Sequence, residues 1–129
     1  MSILIDDTTR LVVQGITGRA AQHHALLMQQ YGTNIVAGVR PGAGGGEIHG
    51  IPIFDSVVEA CDARQPNMSI LFVPASAMKQ AAFEALDAGV KQLLMVSEHV
   101  PLHDTMEIVA KAHEMDARII GPNTPGLIS

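Results

Sequence analysis

The sequence contains no tryptophan, one tyrosine and a single cysteine, Cys61, among its 129 residues. One cysteine cannot form an internal disulfide, which favours a reducing compartment. No apolar run approaches the roughly 20 residues that cross a bilayer. The first residues, MSILIDD, lack the basic and long apolar regions of a signal peptide. We therefore expect a cytoplasmic protein, or one of the mitochondrial matrix in a eukaryote, with no membrane partner.

Positive charge is also scarce, because eight Lys and Arg residues face 13 Asp and Glu residues and leave a net charge of −5. A nucleic-acid-binding surface usually carries a basic stripe. Three phenylalanines and one tyrosine also leave little for base stacking. We therefore expect no nucleic-acid partner, and any polyanionic ligand has to be held by local backbone amides and a few cations.

The sequence is rich in apolar residues, at 47 %, and is long enough for one domain with a buried core. Short apolar runs alternate with helix-like segments along the chain. We predict strands over about 10–14, 35–39, 69–73, 92–96 and 118–120, and helices over about 18–31, 56–63, 76–88 and 104–115. Residues 48–54 contain Gly50 and Pro52 and are predicted as an extended excursion rather than a central strand. Asp55 or Ser56 can cap the short helix that follows. This alternation predicts an α/β fold, a parallel sheet with helices on both faces and right-handed crossovers.

A glycine turn (residues 15–18) connects the first strand to the first helix. Such a turn aims the unpaired N–H groups of the helix start at one point, which favours a phosphate. The spacing Gly15-x-x-Gly18 departs from the dinucleotide fingerprint Gly-x-Gly-x-x-Gly/Ala. The second strand ends at Arg40 and offers no carboxylate for ribose hydroxyls. These features disfavour NAD and favour a ligand with an additional phosphate, although a purely structural turn is the alternative.

The segments that follow the first four predicted strands all have unusual composition: 15–20, 40–46, 74–76 and 97–101. Ligands of parallel sheets bind at the carboxyl ends of the strands, so these segments should converge on one crevice. One of them contains a glycine loop (residues 41–46, PGAGGG). Such a loop can approach a ligand closely, or it can be a mobile surface connection, since glycine makes ordering costly.

Several motifs closely resemble the α subunit of succinyl-CoA synthetase (succinate–CoA ligase). They are QGITG at 14–18, GVRPG at 38–42, GIPIF at 50–54, VPA at 73–75, EALDAG at 84–89 and GPNTPG at 121–126. In that family the corresponding segment is a Rossmann-like CoA-binding domain. A following ligase domain carries a phosphohistidine, and an ATP-grasp β subunit activates the nucleotide. The resemblance implies coenzyme A as cofactor, those two parts as partners, and reversible acyl-CoA formation driven by ATP or GTP.

The resemblance also implies the residues that contact coenzyme A, while no catalytic residue and no metal ligand is expected. The glycine turn and helix start would hold the phosphates, the segments after the second and third predicted strands would lie near the adenosine end, and the segment after the fourth would complete the pocket. These residues are Gly15, Thr17, Gly18, Arg19, Ala20, Val39, Arg40, Pro41, Val73, Pro74, Val96, Ser97 and Glu98. Asn123 would lie toward the docking site of the phosphohistidine.

Two departures from the family pattern affect these expectations. Ala43 stands where the family commonly has a lysine, and Arg40 or Arg19 would replace that cation. The sequence ends at Ser129, so we expect residues 1–129 to form the CoA-binding domain without the ligase domain and without complete activity. The alternative is a stand-alone Rossmann-type module that senses CoA or NADP and has no catalytic role.

Three other patterns favour structural roles. Ser76 and Lys79 match a Ser-x-x-Lys nucleophile pattern, but Ser76 is better explained as the N-cap of a helix. His23 and His24 point about 100° apart on a helix, which disfavours a zinc site. Cys61 lies on a short helix with an apolar face and is interpreted as a packed thiol.

Overall fold

The computed structural model describes residues 8–42, 44–96 and 100–120. Its elements are β1 (Leu11–Gln14), α1 (Arg19–Gln30), β2 (Ile35–Val39), β3 (Glu47–Ile48), β4 (Ile51–Phe54), α2 (Val57–Arg64), β5 (Met68–Leu71), α3 (Ala75–Asp87), β6 (Gln92–Met95), α4 (Leu102–Glu114) and β7 (Arg118–Ile120). These seven strands form one sheet in the order β3-β4-β2-β1-β5-β6-β7. Every pair is parallel except β3 with β4. The predicted Rossmann-like α/β fold is confirmed.

The middle strand, β1, divides the core into two layers because successive side chains of a strand point to opposite faces. Val12 packs with α2, α3 and α4 on one face. Leu11 and Val13 pack with Ala21 and Ala25 of α1 on the other. Helices therefore cover both faces, as predicted, with three on one side and one on the other. None of the helices in the described ranges is long and apolar enough to cross a membrane.

The prediction for residues 48–54 was wrong in part, because β4 belongs to the main sheet. Gly38 and Val39 of β2 pair in parallel with Ile53 and Phe54. Ile51 and Ile53 are buried and alternate with less buried residues, which is a strand pattern. The prediction gave more weight to Gly50 and Pro52, which are unfavourable in a strand. Proline is tolerated here because β4 lies close to the sheet edge, with only the two-residue β3 beyond it.

Of two helix caps predicted from the sequence, the structure confirms one and contradicts the other. Ser56 caps α2, since its Oγ accepts a hydrogen bond from the Glu59 N–H at 3.2 Å, as the sequence allowed. The assignment of Ser76 as an N-cap was wrong, because α3 begins at Ala75 and Pro74 takes the cap position without a side-chain hydrogen bond. Pro74 already has the extended conformation that a cap requires, with φ −59° and ψ 155°, so the cap lies two residues earlier than predicted.

Cys61 packs against the core layer that contains α2, α3 and α4, which confirms its interpretation as a packed thiol. Burial, and to a lesser degree the negative charge of Asp62, raises the pKa of the Cys61 thiol. The thiolate is the reactive form, so this environment makes the side chain less reactive than an exposed cysteine.

Candidate functional site

A cavity of about 840 Å³ opens at the carboxyl ends of β1, β2, β5 and β6. Eleven of the 13 residues assigned to the ligand from the sequence line it: Gly15, Thr17, Gly18, Arg19, Ala20, Val39, Arg40, Pro41, Val73, Pro74 and Val96. The other two, Ser97 and Glu98, lie outside the described residues, as do Ala43 and Asn123. The expected convergence is thus confirmed for the segments after the first three predicted strands. Of the fourth, 97–101, residues 97–99 lie outside the described residues and only the preceding Val96 lines the cavity. Contacts of all these residues with a ligand remain predictions.

The glycine turn is packed tightly against the end of β5. Gly15 has φ +84°, and its N–H donates to the Val39 carbonyl at 2.9 Å. A Cβ added at Gly15 would lie 2.3 Å from the carbonyl oxygen of Phe72, closer than atoms can approach. Glycine is therefore required here by both conformation and space.

Gly18 has a different role at the other end of the turn. It is exposed, has φ −67°, and is the N-cap of α1 without any side-chain cap. The Gln22 N–H donates to the Gly18 carbonyl, which leaves the earlier amides of α1 without intrahelical acceptors. Because Arg19 and Ala20 of this first turn line the cavity, the positive end of the α1 dipole faces it.

Ile16 explains how a bulky residue fits in the middle of the turn. Its side chain is fully buried and faces the core rather than the cavity. It fills the space above Gly38 of β2, where an added Cβ would lie 2.6 Å from the Ile16 Cδ1 atom. Ile16 of the glycine turn thus fills space that Gly38 of β2 leaves free, a packing relation that was not predicted from the sequence.

Two arginines bring positive charge to the cavity. Nη1 of Arg40 donates a hydrogen bond to the Thr17 hydroxyl and so connects the end of β2 to the glycine turn. The Arg40 backbone N–H also donates to the Phe54 carbonyl at 3.0 Å. Arg19 lies at the same cavity, on the first turn of α1. Both arginines that were expected to replace a lysine at position 43 thus line the same cavity, while their contact with an anionic ligand remains a prediction.

The cavity is also lined by polar residues, Gln14 and Glu84, that were not predicted from the sequence. Gln14 is buried, donates from Nε2 to the Ala81 carbonyl at 3.1 Å and accepts from the Ser69 hydroxyl at 2.6 Å. Glu84 accepts a hydrogen bond from the Val57 N–H at 2.8 Å, at the start of α2. These contacts join residues that are 27 to 67 positions apart in the chain, so no local pattern in the sequence indicates them.

A family model described as "CoA binding domain" matches residues 6–99, well over half of the chain. The chain belongs to the CoA-binding domain family. The curated relatives of this CoA-binding domain include the succinate–CoA ligase [ADP-forming] subunit alpha 2 of Archaeoglobus fulgidus, 46 % identical over 129 residues, covering 100 % of this chain and 45 % of the relative. The α subunit of Aquifex aeolicus is 43 % identical over 131 residues, with 100 % and 43 % covered. The chain thus spans less than half the length of these relatives.

Solved structures share the fold of this CoA-binding domain. ATP citrate lyase from Methanothrix soehngenii, in complex with citrate and coenzyme A, superimposes with a TM-score of 0.75 at 21 % identity, over 95 % of this chain and 22 % of that one. A conserved hypothetical protein from Pyrococcus furiosus gives a TM-score of 0.64 at 20 % identity, over 88 % of this chain and 94 % of that one. The fold therefore occurs both inside large chains and in a chain of similar length.

Proposed function

We propose that this CoA-binding domain holds coenzyme A in the cavity at the carboxyl ends of β1, β2, β5 and β6. The observation that carries the proposal is the convergence of the α1 N-terminus, Arg19 and Arg40 on this one cavity. Coenzyme A has a pyrophosphate, which suits helix amides, and a ribose 3′-phosphate, which suits a guanidinium. The apolar wall that Val73, Pro74 and Val96 provide suits the uncharged parts of the ligand.

We further propose that the domain works as part of an acid–thiol ligase like its curated relatives. The complete reaction joins a carboxylic acid to the CoA thiol, with ATP or GTP converted to the diphosphate and phosphate, and it runs in both directions. The phosphohistidine would lie in a following ligase domain, and nucleotide activation would belong to an ATP-grasp β subunit. Residues 1–129 would then act by position, because they place the thiol for a reaction that takes place elsewhere.

Titration calorimetry of the 129-residue chain with coenzyme A, 3′-dephospho-CoA and NADPH tests the binding proposal. We expect coenzyme A to bind most tightly and 3′-dephospho-CoA more weakly. Replacing Arg40 with Gln should lower the affinity for coenzyme A by about tenfold to a hundredfold, the effect of losing a hydrogen bond between charged groups. It should change the affinity for 3′-dephospho-CoA much less.

Arg19→Gln is the matched control, since it removes an equal charge near the α1 N-terminus. It should weaken both ligands to a similar degree, because both contain the pyrophosphate. Preference for NADPH would instead support the alternative of a stand-alone nucleotide-sensing module. A folded chain that binds none of the three ligands would contradict both functions.

A further inference from the structure

The glycine loop is held by one carboxylate from outside it. Asp55 follows β4, and its Oδ1 atom accepts hydrogen bonds from the N–H groups of Gly42 and Gly44, each at 2.9 Å. The Asp55 N–H in turn donates to a carboxylate oxygen of Glu59 at 3.1 Å, which fixes Asp55 beside the start of α2. One oxygen atom thus accepts hydrogen bonds from two backbone amides of the connection between β2 and β3.

The loop sequence leaves room for this contact. A Cβ added at Gly44 would lie 2.7–2.8 Å from three atoms of the Asp55 carboxylate, so only glycine admits the carboxylate at this distance. Further along, the Gly45 N–H donates to the Ile53 carbonyl at 3.0 Å, and the Ile53 N–H donates to the Gly46 carbonyl at 2.9 Å. The second half of the loop is therefore paired with β4, and Asp55 anchors the first half.

The first half of the loop is the half that reaches the ligand cavity. Arg40 and Pro41, which immediately precede Gly42, line the cavity, whereas Asp55 is not among its lining residues and lies with Gly44 and Gly45 in a separate depression. Asp55 therefore does not contribute to the wall of the ligand cavity. Whatever effect it has must pass through the position of the loop.

We propose that Asp55 is a positioning residue that holds the glycine loop and thereby sets Arg40 and Pro41 for the 3′-phosphate end of coenzyme A. The inference rests on the proposed function. A loop of glycines loses much conformational freedom when it is ordered. In an anchored loop this conformational entropy is already lost before the ligand binds. In an unanchored loop it is lost on binding, which lowers the affinity.

The test compares coenzyme A with 3′-dephospho-CoA in calorimetric titrations of the wild-type chain, Asp55→Ala and Asp55→Asn. Asp55→Ala should lower the affinity for coenzyme A by about tenfold, as expected for the loss of two hydrogen bonds. It should lower the affinity for 3′-dephospho-CoA less, so the ratio of the two affinities falls. Asp55→Asn should keep the wild-type ratio, because its amide oxygen can accept the same two N–H groups.

The affinity ratio separates positioning from a general loss of stability, since an unfolded fraction lowers both affinities equally. Ser56→Ala is the matched control, because it removes the cap of α2 next to Asp55 and leaves the loop amides bonded. It should leave the ratio unchanged. Amide hydrogen exchange provides a readout without ligand, and Gly42 and Gly44 should exchange faster in Asp55→Ala but not in Asp55→Asn.

The possible failures are distinct. If the wild-type chain does not bind coenzyme A, the proposed function fails and takes this inference with it. If the wild-type chain binds and Asp55→Ala keeps both its affinity ratio and its slow exchange, the inference alone is overturned. The same holds if Asp55→Asn behaves like Asp55→Ala, because the charge rather than the hydrogen-bond acceptor would then be responsible.

Discussion

The glycine turn after β1 and the glycine loop after β2 lie at the same edge of the sheet and use glycine for different reasons. At Gly15 the carbonyl of Phe72 occupies the place of a side chain. At Gly42 and Gly45 nothing lies within 4 Å of an added Cβ, and only the positive φ angles, +85° and +97°, favour glycine. Gly15 is thus part of the packed core, while Gly42 and Gly45 lie in an open part of the loop, which the Asp55 carboxylate holds through Gly42 and Gly44.

This difference teaches that glycine content alone does not identify the rigid part of a ligand site. The glycine loop has more glycines than the glycine turn, yet the turn has the stricter steric requirement. The sequence allowed two interpretations of the loop, close approach to a ligand or a mobile connection. Neither of them included a contact between the loop and another segment. Its anchoring by Asp55 belongs to neither reading.

The largest expected effect is on folding, from Gly15→Ala. The clash with the Phe72 backbone and the positive φ should lower the free energy of unfolding by about 3 kcal/mol or more. Urea denaturation followed by circular dichroism measures this change. Gly18→Ala is the matched control in the same turn and should cost less than about 1 kcal/mol, because its Cβ meets only the Gly15 carbonyl at an ordinary 3.5 Å. Equal losses would mean that the turn is not packed against β5.

The next effect is on binding rather than folding, from Gly18→Leu. The residue is exposed and has φ −67°, so we expect the chain to fold normally. A bulky side chain at the N-cap would cover the amides that face the cavity and should lower the affinity for coenzyme A more than about a hundredfold. Calorimetry together with urea denaturation separates the two properties. Normal coenzyme A binding by this variant would contradict the proposed site.

Gly38→Ala tests the exchange of space between the turn and β2. Its Cβ would meet the buried Ile16 side chain, and we expect a loss of about 1–3 kcal/mol in the free energy of unfolding. Ile16→Val should recover part of that loss in the double variant, because the nearest clashing atom, Cδ1 at 2.6 Å, is absent from valine. Strictly additive effects in a double-mutant cycle would show that the two positions do not share this space.

The smallest expected effect comes from Gly42→Ala compared with Gly32→Ala. Gly42 and Gly32 have nearly equal φ angles, +85° and +88°, with open space around both. Each substitution should therefore lower the free energy of unfolding by about 1 kcal/mol. Gly32 follows the C-terminus of α1, away from the cavity, so only Gly42→Ala should also weaken coenzyme A binding. Identical affinities of the two variants for coenzyme A would contradict the proposal that the glycine loop, unlike the end of α1, contributes to binding.

Local signals in the sequence were sufficient for most of the fold. The buried run Leu11–Val13, the glycine turn and the helix stripe of Ala21 and Ala25 are all explained by neighbours in the sequence. The segment 47–54 was misjudged because Gly50 and Pro52 are locally unfavourable, while pairing of β4 with β2 supplies the stabilisation. That pairing is tertiary, so propensity could not reveal it.

The candidate site was predictable where a residue's place follows from the carboxyl end of a strand, as for Gly15, Arg40 and Pro74. The polar contacts beneath and beside it were not. Gln14 and Ser69 lie 55 residues apart, and Glu84 lies 27 residues from its partner Val57. From the sequence, Asp55 was only a possible cap of α2. Its role as acceptor for the N–H groups of Gly42 and Gly44 depends on how the loop folds back onto β4.

The central position of β1 has a consequence for the order in which the chain acquires its binding site. β1 pairs with β5, and Arg10 must meet Asn67, 57 residues away, at the start of that pairing. Closing so long a loop is entropically costly and slow compared with the sequential crossovers of β5, β6 and β7. During synthesis, the wall between β1 and β5 cannot exist until Leu71 has left the ribosome. The glycine turn is therefore synthesised 57 residues before the Phe72 carbonyl against which Gly15 packs.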